Sequence, residues 1–180
     1  MLNKICYIIA GPNGAGKTTA ALDFLLNDVN CSHFLNADEI SSRLILENSQ
    51  ELPQEIADRK SARILINATK QFVKKEVTFA VETTLSGLTY KKNIVAWQKL
   101  GYKVILYFFR LPTVEIAISR VKSRVLKGGH NIPEQDIRRR YESGMENFDK
   151  VYKNIVDYWV MYDASGTTPQ EIGHKNNDTK

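Results

Sequence analysis

The sequence predicts an α/β protein, with helices on both faces of a parallel sheet in three αβα layers. Three observations carry this. Five apolar runs of strand length alternate with longer stretches of helical periodicity. The runs are apolar along most of their length, the pattern of strands covered on both faces. The first run passes through a glycine-rich turn straight into a helical stretch. A length of 180 residues fits one domain, with 43% hydrophobic and 25% charged residues. That composition excludes wholesale disorder, collagen and coiled coil.

Residues 4–10 form the first strand, stopped by Gly11-Pro12. From Lys17 to Asn27-Asp28 the pattern is helical, with Ala21, Leu22 and Leu25 on one face. Residues 33–37 are a short second strand, and 38–46 begin a helix. A longer helix spans about 54–75 behind Leu52-Pro53, with Ala57, Ser61, Leu65, Ala68 and Phe72 at helical spacing. Residues 77–82 are the third strand. Residues 89–100 are a helix ended by Gly101. Residues 102–109 are the fourth strand, and 113–127 an amphipathic helix closed by Gly128-Gly129. Pro133 opens a helix that runs to about Phe148. Residues 158–162 are the fifth strand, with Tyr152, Tyr158, Trp159 and Tyr162 packing it to that helix. The single domain is expected over 1–172, and 173–180 reads as a polar, fraying tail.

No stretch approaches the ~20 apolar residues of a membrane helix, and the first apolar run is too short for a signal peptide. Cys6 and Cys31 lack C-x-x-C spacing, so they read as free thiols of a cytoplasmic protein rather than zinc ligands or a disulfide.

Ligands of such sheets bind at the carboxyl ends of the strands. There the chain reads Gly11-Pro12-Asn13-Gly14-Ala15-Gly16-Lys17-Thr18-Thr19, a G-x-x-x-x-G-K-[ST] loop between strand and helix. Its backbone N–H groups and helix start suit the phosphates of ATP or GTP. Lys17 is placed to bridge phosphates and the Thr18 hydroxyl to hold Mg²⁺. The second strand runs out into Asn36-Ala37-Asp38-Glu39 and the third into Glu82-Thr83-Thr84. Asp38 reads as the base for an acceptor hydroxyl, although Asp is also a favoured helix cap. Glu82 reads as metal- or acceptor-directed, assisted by Thr84; a plain solvent-facing strand end is its alternative.

Residues 117–140 hold 7 basic and 2 acidic side chains, equal to the whole chain's net charge of +5. Arg120 and Arg124 share a helix face. Arg138, Arg139 and Arg140 cover three faces of the next helix, so at most two can address one ligand. The joint between them, 127–131, reads as a hinge, which makes the segment a candidate lid over a nucleotide. His130 reads as an ordinary loop histidine. Aromatic platforms do not interleave this stretch, which disfavours nucleic acid.

Several strings together resemble the zeta-toxin family of P-loop kinases. They are the glycine-rich loop, Phe-Leu-Asn-Ala-Asp (34–38), Val-Glu-Thr-Thr-Leu-Ser-Gly (81–87), Gly-Tyr-Lys-Val-Ile-Leu (101–106) and Arg-Val-Leu-Lys-Gly-Gly-His-Asn-Ile-Pro (124–133). Arg-Arg-Tyr (139–141) and Trp-Val-Met-Tyr-Asp (159–163) continue the likeness. The resemblance implies a nucleoside-monophosphate-kinase-like fold with five parallel strands in order 2-3-1-4-5. It implies ATP and Mg²⁺ as cofactors, and phosphorylation of a small hydroxyl acceptor such as a UDP-N-acetyl sugar. A small antitoxin would be the partner. Asp38 would be the base, Lys17 and Thr18 the phosphate and Mg²⁺ groups, and Glu82 and Thr84 the acceptor contacts. Arg120 or Arg124, with Arg139 or Arg140, would be lid arginines, and the loop after Asp163 would flank adenine. A nucleotide-gated module acting on a partner protein and a kinase of nucleic-acid ends are the alternative readings.

Overall fold

The computed structural model describes residues 4–27, 31–48, 51–129 and 131–175. In chain order these give β1 (Ile5–Ala10), α1 (Lys17–Asn27), β2 (Phe34–Asn36), α2 (Ala37–Glu47), α3 (Gln54–Lys74), β3 (Phe79–Thr83) and α4 (Thr89–Lys99). Then follow β4 (Lys103–Arg110), α5 (Val114–Leu126), α6 (Glu134–Asn147), a π-helical turn (Phe148–Tyr152), α7 (Lys153–Ile155), β5 (Tyr158–Asp163) and β6 (Gln170–His174).

The sheet has the order β2-β3-β1-β4-β5-β6. Its first five strands are parallel and match the expected 2-3-1-4-5. The sixth corrects the sequence reading. β6 pairs antiparallel with β5, so residues 173 and 174, expected in the tail, belong to the sheet. The reason is chemical. Gln-Glu-Ile-Gly-His has no apolar run, and Ile172 is about half exposed. Main-chain hydrogen bonding at an edge holds this strand, not burial, so hydrophobic periodicity does not reveal it.

The central strands are buried on both faces. Cys6, Ile8 and Ala10 of β1 join Val104, Leu106 and Phe108 of β4 in one core. Tyr7 and Ile9 join Phe109 and the α5 residues Ala117 and Val121 in the other. Alternation along a strand sends successive side chains to opposite layers, which explains why these runs are continuously apolar. Cys6 and Cys31 are buried free thiols.

α6 continues past its expected end through the π-helical turn, whose Phe148 and Tyr152 are fully buried. Phe148 stacks on Phe108 at 4.4 Å and meets Trp159 edge-on at 5.5 Å. Three contacts fasten this helical arm to the loop after β3. The Asn147 amide donates to the Leu85 carbonyl at 2.8 Å, and the Tyr152 hydroxyl to the Gly87 carbonyl at 2.6 Å. Gly144 lies so near the Thr84 carbonyl that a Cβ would sit 2.5 Å from its oxygen. Leu85, at φ +54° and buried, is the strained residue that turns this loop.

Gly144→Ala is therefore expected to push α6 off the end of β3. Overpacking of this kind costs about 1–3 kcal/mol, measurable by urea unfolding.

Candidate active site

The parallel register brings the predicted groups to one sheet edge. Asn36 of β2 lies beside Glu82 of β3, and Glu82 lies beside Ile9 of β1, just ahead of the glycine-rich loop. Gly11 enters that loop at φ +138°, where a Cβ would stand 2.2 Å from the Phe109 carbonyl oxygen. No side chain fits there, so glycine is required. The Ala15 N–H closes the turn onto the Pro12 carbonyl at 3.3 Å, and Lys17 Nζ donates to the same carbonyl at 3.0 Å.

Glu82 is the hub of the site. Its carboxylate accepts from the Thr18 hydroxyl at 2.7 Å and from Asn36 Nδ2 at 2.9 Å, and stands 3.6 Å from Lys17 Nζ. Lys17 and Glu82 are 6% and 9% exposed, so an unpaired charge on either would be costly. The sequence reading placed Glu82 correctly at the strand end but did not foresee its tie to Thr18.

Asn36 is the residue that sequence reasoning missed. Its Oδ1 accepts from the N–H groups of Asp38 and Glu39, at 2.9 and 3.3 Å, and so caps α2. Its Nδ2 reaches Glu82 and, at 3.3 Å, the Thr18 hydroxyl. The two sets of partners fix the amide orientation. They also release Asp38 from the capping role that sequence allows it. The available signal was an Asn before an acidic first helical turn, a favoured cap pattern.

Two clefts open at this edge. The first, about 670 Å³, runs over Asn13, Lys17 and Thr18 to Asp38, Glu82 and Arg124. The second, about 310 Å³, lies between Asp38, Glu82, Thr84 and Ser86 on one side and Arg139 and Arg140 on the other. Asp38 and Lys17 line both. Thr84 Oγ1 meets Ser86 Oγ at 3.0 Å. Asn13 is 3% exposed, and its Oδ1 is buried without a hydrogen-bond partner among the described residues. Glu39 is exposed, yet partial desolvation and repulsion from the Glu82 carboxylate raise its carboxyl above its ordinary pKa, with Arg43 partly offsetting them.

A third cleft, about 670 Å³, lies on the far side of the loop. Gly16, Thr19 and Ala20 form one wall, and Tyr107, Tyr162 and the segment 164–169 the other. Asp163 opens that segment. Hydrogen bonds from Ser165 hold its carboxylate below the usual range.

The arginines divide by location. Arg120 was expected to reach a phosphate from a lid. It lines the first cleft beside Arg124, and its guanidinium donates to the carbonyls of Gly14 at 3.3 Å, Ala164 at 2.7 Å and Ser165. It ties the glycine-rich loop to segment 164–169. Packing sets this position: Ala117, Ile118 and Val121 bury α5 against the sheet. Arg138 turns away to Glu134 and Glu115. Arg139 pairs with Asp136 at 2.8 Å and still lines the second cleft. His130 lies outside the described residues.

The sequence profile described as Zeta toxin matches residues 2–169. An uncharacterized protein of Haemophilus influenzae is 29% identical over 141 residues, which cover 78% of this chain and 94% of that protein. A chain of the PezAT chromosomal toxin-antitoxin system of Streptococcus pneumoniae superposes with a TM-score of 0.74 at 17% identity. That match covers all of this chain and 75% of the other. A chain of AvrRxo1-ORF1:-ORF2 with ATP gives 0.75 at 14% identity, covering 94% of this chain and 57% of that one.

Asn36→Ala is expected to lose about 1–3 kcal/mol in chemical unfolding, because it removes a cap and a donor to a buried carboxylate together. Glu39→Gln is expected to raise the melting temperature at pH 7. The Glu39 pKa is raised on folding, so its ionised form opposes folding, and that cost appears as pH rises through the folded-state value. Below the ordinary carboxylate range both forms are neutral, and the gain should vanish.

Proposed function

The chain belongs to the Zeta toxin family and has its P-loop kinase fold, and from that premise we propose an ATP-dependent transfer of the γ-phosphoryl group to a hydroxyl of a small acceptor. One observation carries the reading: Asp38 and Lys17 both line the same two clefts, so a base and a phosphate-binding cation would share one reaction space.

Each group has a part. The loop amides and Lys17 hold the phosphates and offset their charge. The cleft beside Tyr107, Tyr162 and segment 164–169 offers flat apolar walls for adenine. Arg120 keeps those walls in register with the phosphate loop, as a positioning residue. Asp38 accepts the proton of the attacking hydroxyl. Arg124 from one cleft, with Arg139 and Arg140 from the other, supplies positive charge as the phosphoryl group moves. Thr84 and Ser86 offer hydroxyls to the acceptor.

The residues fit a magnesium ion. The Thr18 hydroxyl and Glu82 carboxylate are adjacent hard oxygen donors. Among the described residues no set of three His, Cys, Asp or Glu side chains is grouped to hold a metal, so phosphate oxygens would complete its shell. Its contribution would be to neutralise charge on the phosphates.

A UDP-N-acetyl sugar is the acceptor proposed from the family. A small antitoxin is the proposed partner, supported by the toxin-antitoxin system among the structural neighbours. Among the described residues no helix is long and apolar enough to cross a membrane.

The test is transfer of label from γ-labelled ATP to UDP-N-acetylglucosamine and a panel of small alcohols. Asp38→Asn is expected to lower kcat by about 10²–10⁴-fold while leaving ATP affinity within a few-fold. Transfer that survives Asp38→Asn would remove Asp38 as the base.

A further inference from the structure

The cleft between Asp38 and Arg140 does not end at its polar groups. Ala37, Leu65 and Tyr90 line it and equally line an apolar trough of about 460 Å³ between α3 and α4. Leu65, Ile66 and Val73 form one bank of the trough, and Tyr90, Trp97 and Leu100 the other. Ile66 and Leu100 remain 46% and 53% exposed, so this apolar surface lies open to solvent beside the site. Most of the trough's lining is hydrocarbon, with Lys70, Thr89 and Asn93 as its polar side chains besides Thr69. The Thr69 hydroxyl, which lines it, is turned onto the Leu65 carbonyl of its own helix at 2.8 Å. Burial raises the Tyr90 phenol well above its ordinary pKa, so at the junction it stays protonated and able to donate.

We propose that the acceptor is amphipathic: a hydroxyl-bearing, anionic head lies among Asp38, Tyr90 and Arg140, and an alkyl or aromatic body lies in the trough between α3 and α4. This rests on the phosphotransferase reading and narrows its substrate class. Continuity argues for one ligand, because the shared wall of Ala37, Leu65 and Tyr90 joins the polar and apolar halves. Charge gives the polarity of the head: Lys17, Arg139 and Arg140 outnumber the Asp38 and Glu82 carboxylates along this cleft. Arg140 is half-buried at the cleft and comes from the arginine-rich helix α6, while the far bank offers hydrocarbon. Burying the body would supply binding energy away from the reacting hydroxyl, which can be used to hold that hydroxyl against Asp38.

The experiment is calorimetric titration of butyl, hexyl and octyl phosphate into the chain. The phosphate loop is first saturated with Mg²⁺ and a non-hydrolysable ATP analogue. Affinity is expected to rise about 4-fold per methylene, the usual gain for a buried CH₂. Ala62→Phe and Ala96→Phe, which fill the trough from opposite banks, are expected to flatten the series. An affinity independent of chain length, or a series that both substitutions leave intact in proteins melting like the parent, overturns the proposal. Failure of the kinase reading has a separate signature: the length series persists while no alcohol in the panel is labelled from ATP.

Discussion

A lysine and a glutamate buried at the end of a parallel sheet constrain everything around them. Neither Lys17 nor Glu82 can be left alone at 6% and 9% exposure. Burial of a charge is tolerable only when hydrogen bonds satisfy what the opposite charge does not. Lys17 therefore takes the Pro12 carbonyl, and Glu82 takes the Thr18 hydroxyl and the Asn36 amide. Those partners come from the glycine-rich loop, α1 and β2. The pair thus fixes the relative positions of three strands and two helix starts, and with them the place of Asp38.

The sequence made some of this legible for clear physical reasons. Buried parallel strands must be apolar, so β1, β3, β4 and β5 stand out, and a phosphate loop requires Gly11 and Lys17 by stereochemistry and charge. Asp38 and Glu82 stood out as ionisable groups ending apolar strands. Three features stayed hidden because their partners are distant in the chain. Asn36 carries no charge, and its importance lies in joining residues 18, 38, 39 and 82. Arg120 has carbonyl partners at 14, 164 and 165, and these cannot be read from its own helix. β6 is held by backbone bonds, which composition does not encode.

The basic segment shows how location revises charge. Its net +5 suggested a lid acting as a unit. The structure divides it instead. Arg120 lines the first cleft beside Arg124 while donating to backbone carbonyls, Arg138 pairs with surface carboxylates, and Arg139 and Arg140 line the second cleft. Exposed pairs such as Arg139–Asp136 contribute little to stability, so an incoming anion can displace them at small cost. The segment is therefore a reserve of positive charge beside the clefts.

The fastening of α6 to the loop after β3 has a consequence for selectivity. Gly144, Asn147 and Tyr152 hold residues 84–87, and Arg139 and Arg140 ride on the same helical arm. The surface proposed to recognise the acceptor and the cations proposed to assist transfer are thus tied to one arm. Under the kinase reading, an acceptor that seats poorly on Thr84 and Ser86 also misplaces the arginines. Discrimination between acceptors then appears in turnover more than in affinity, the signature of recognition coupled to assembly of the catalytic groups.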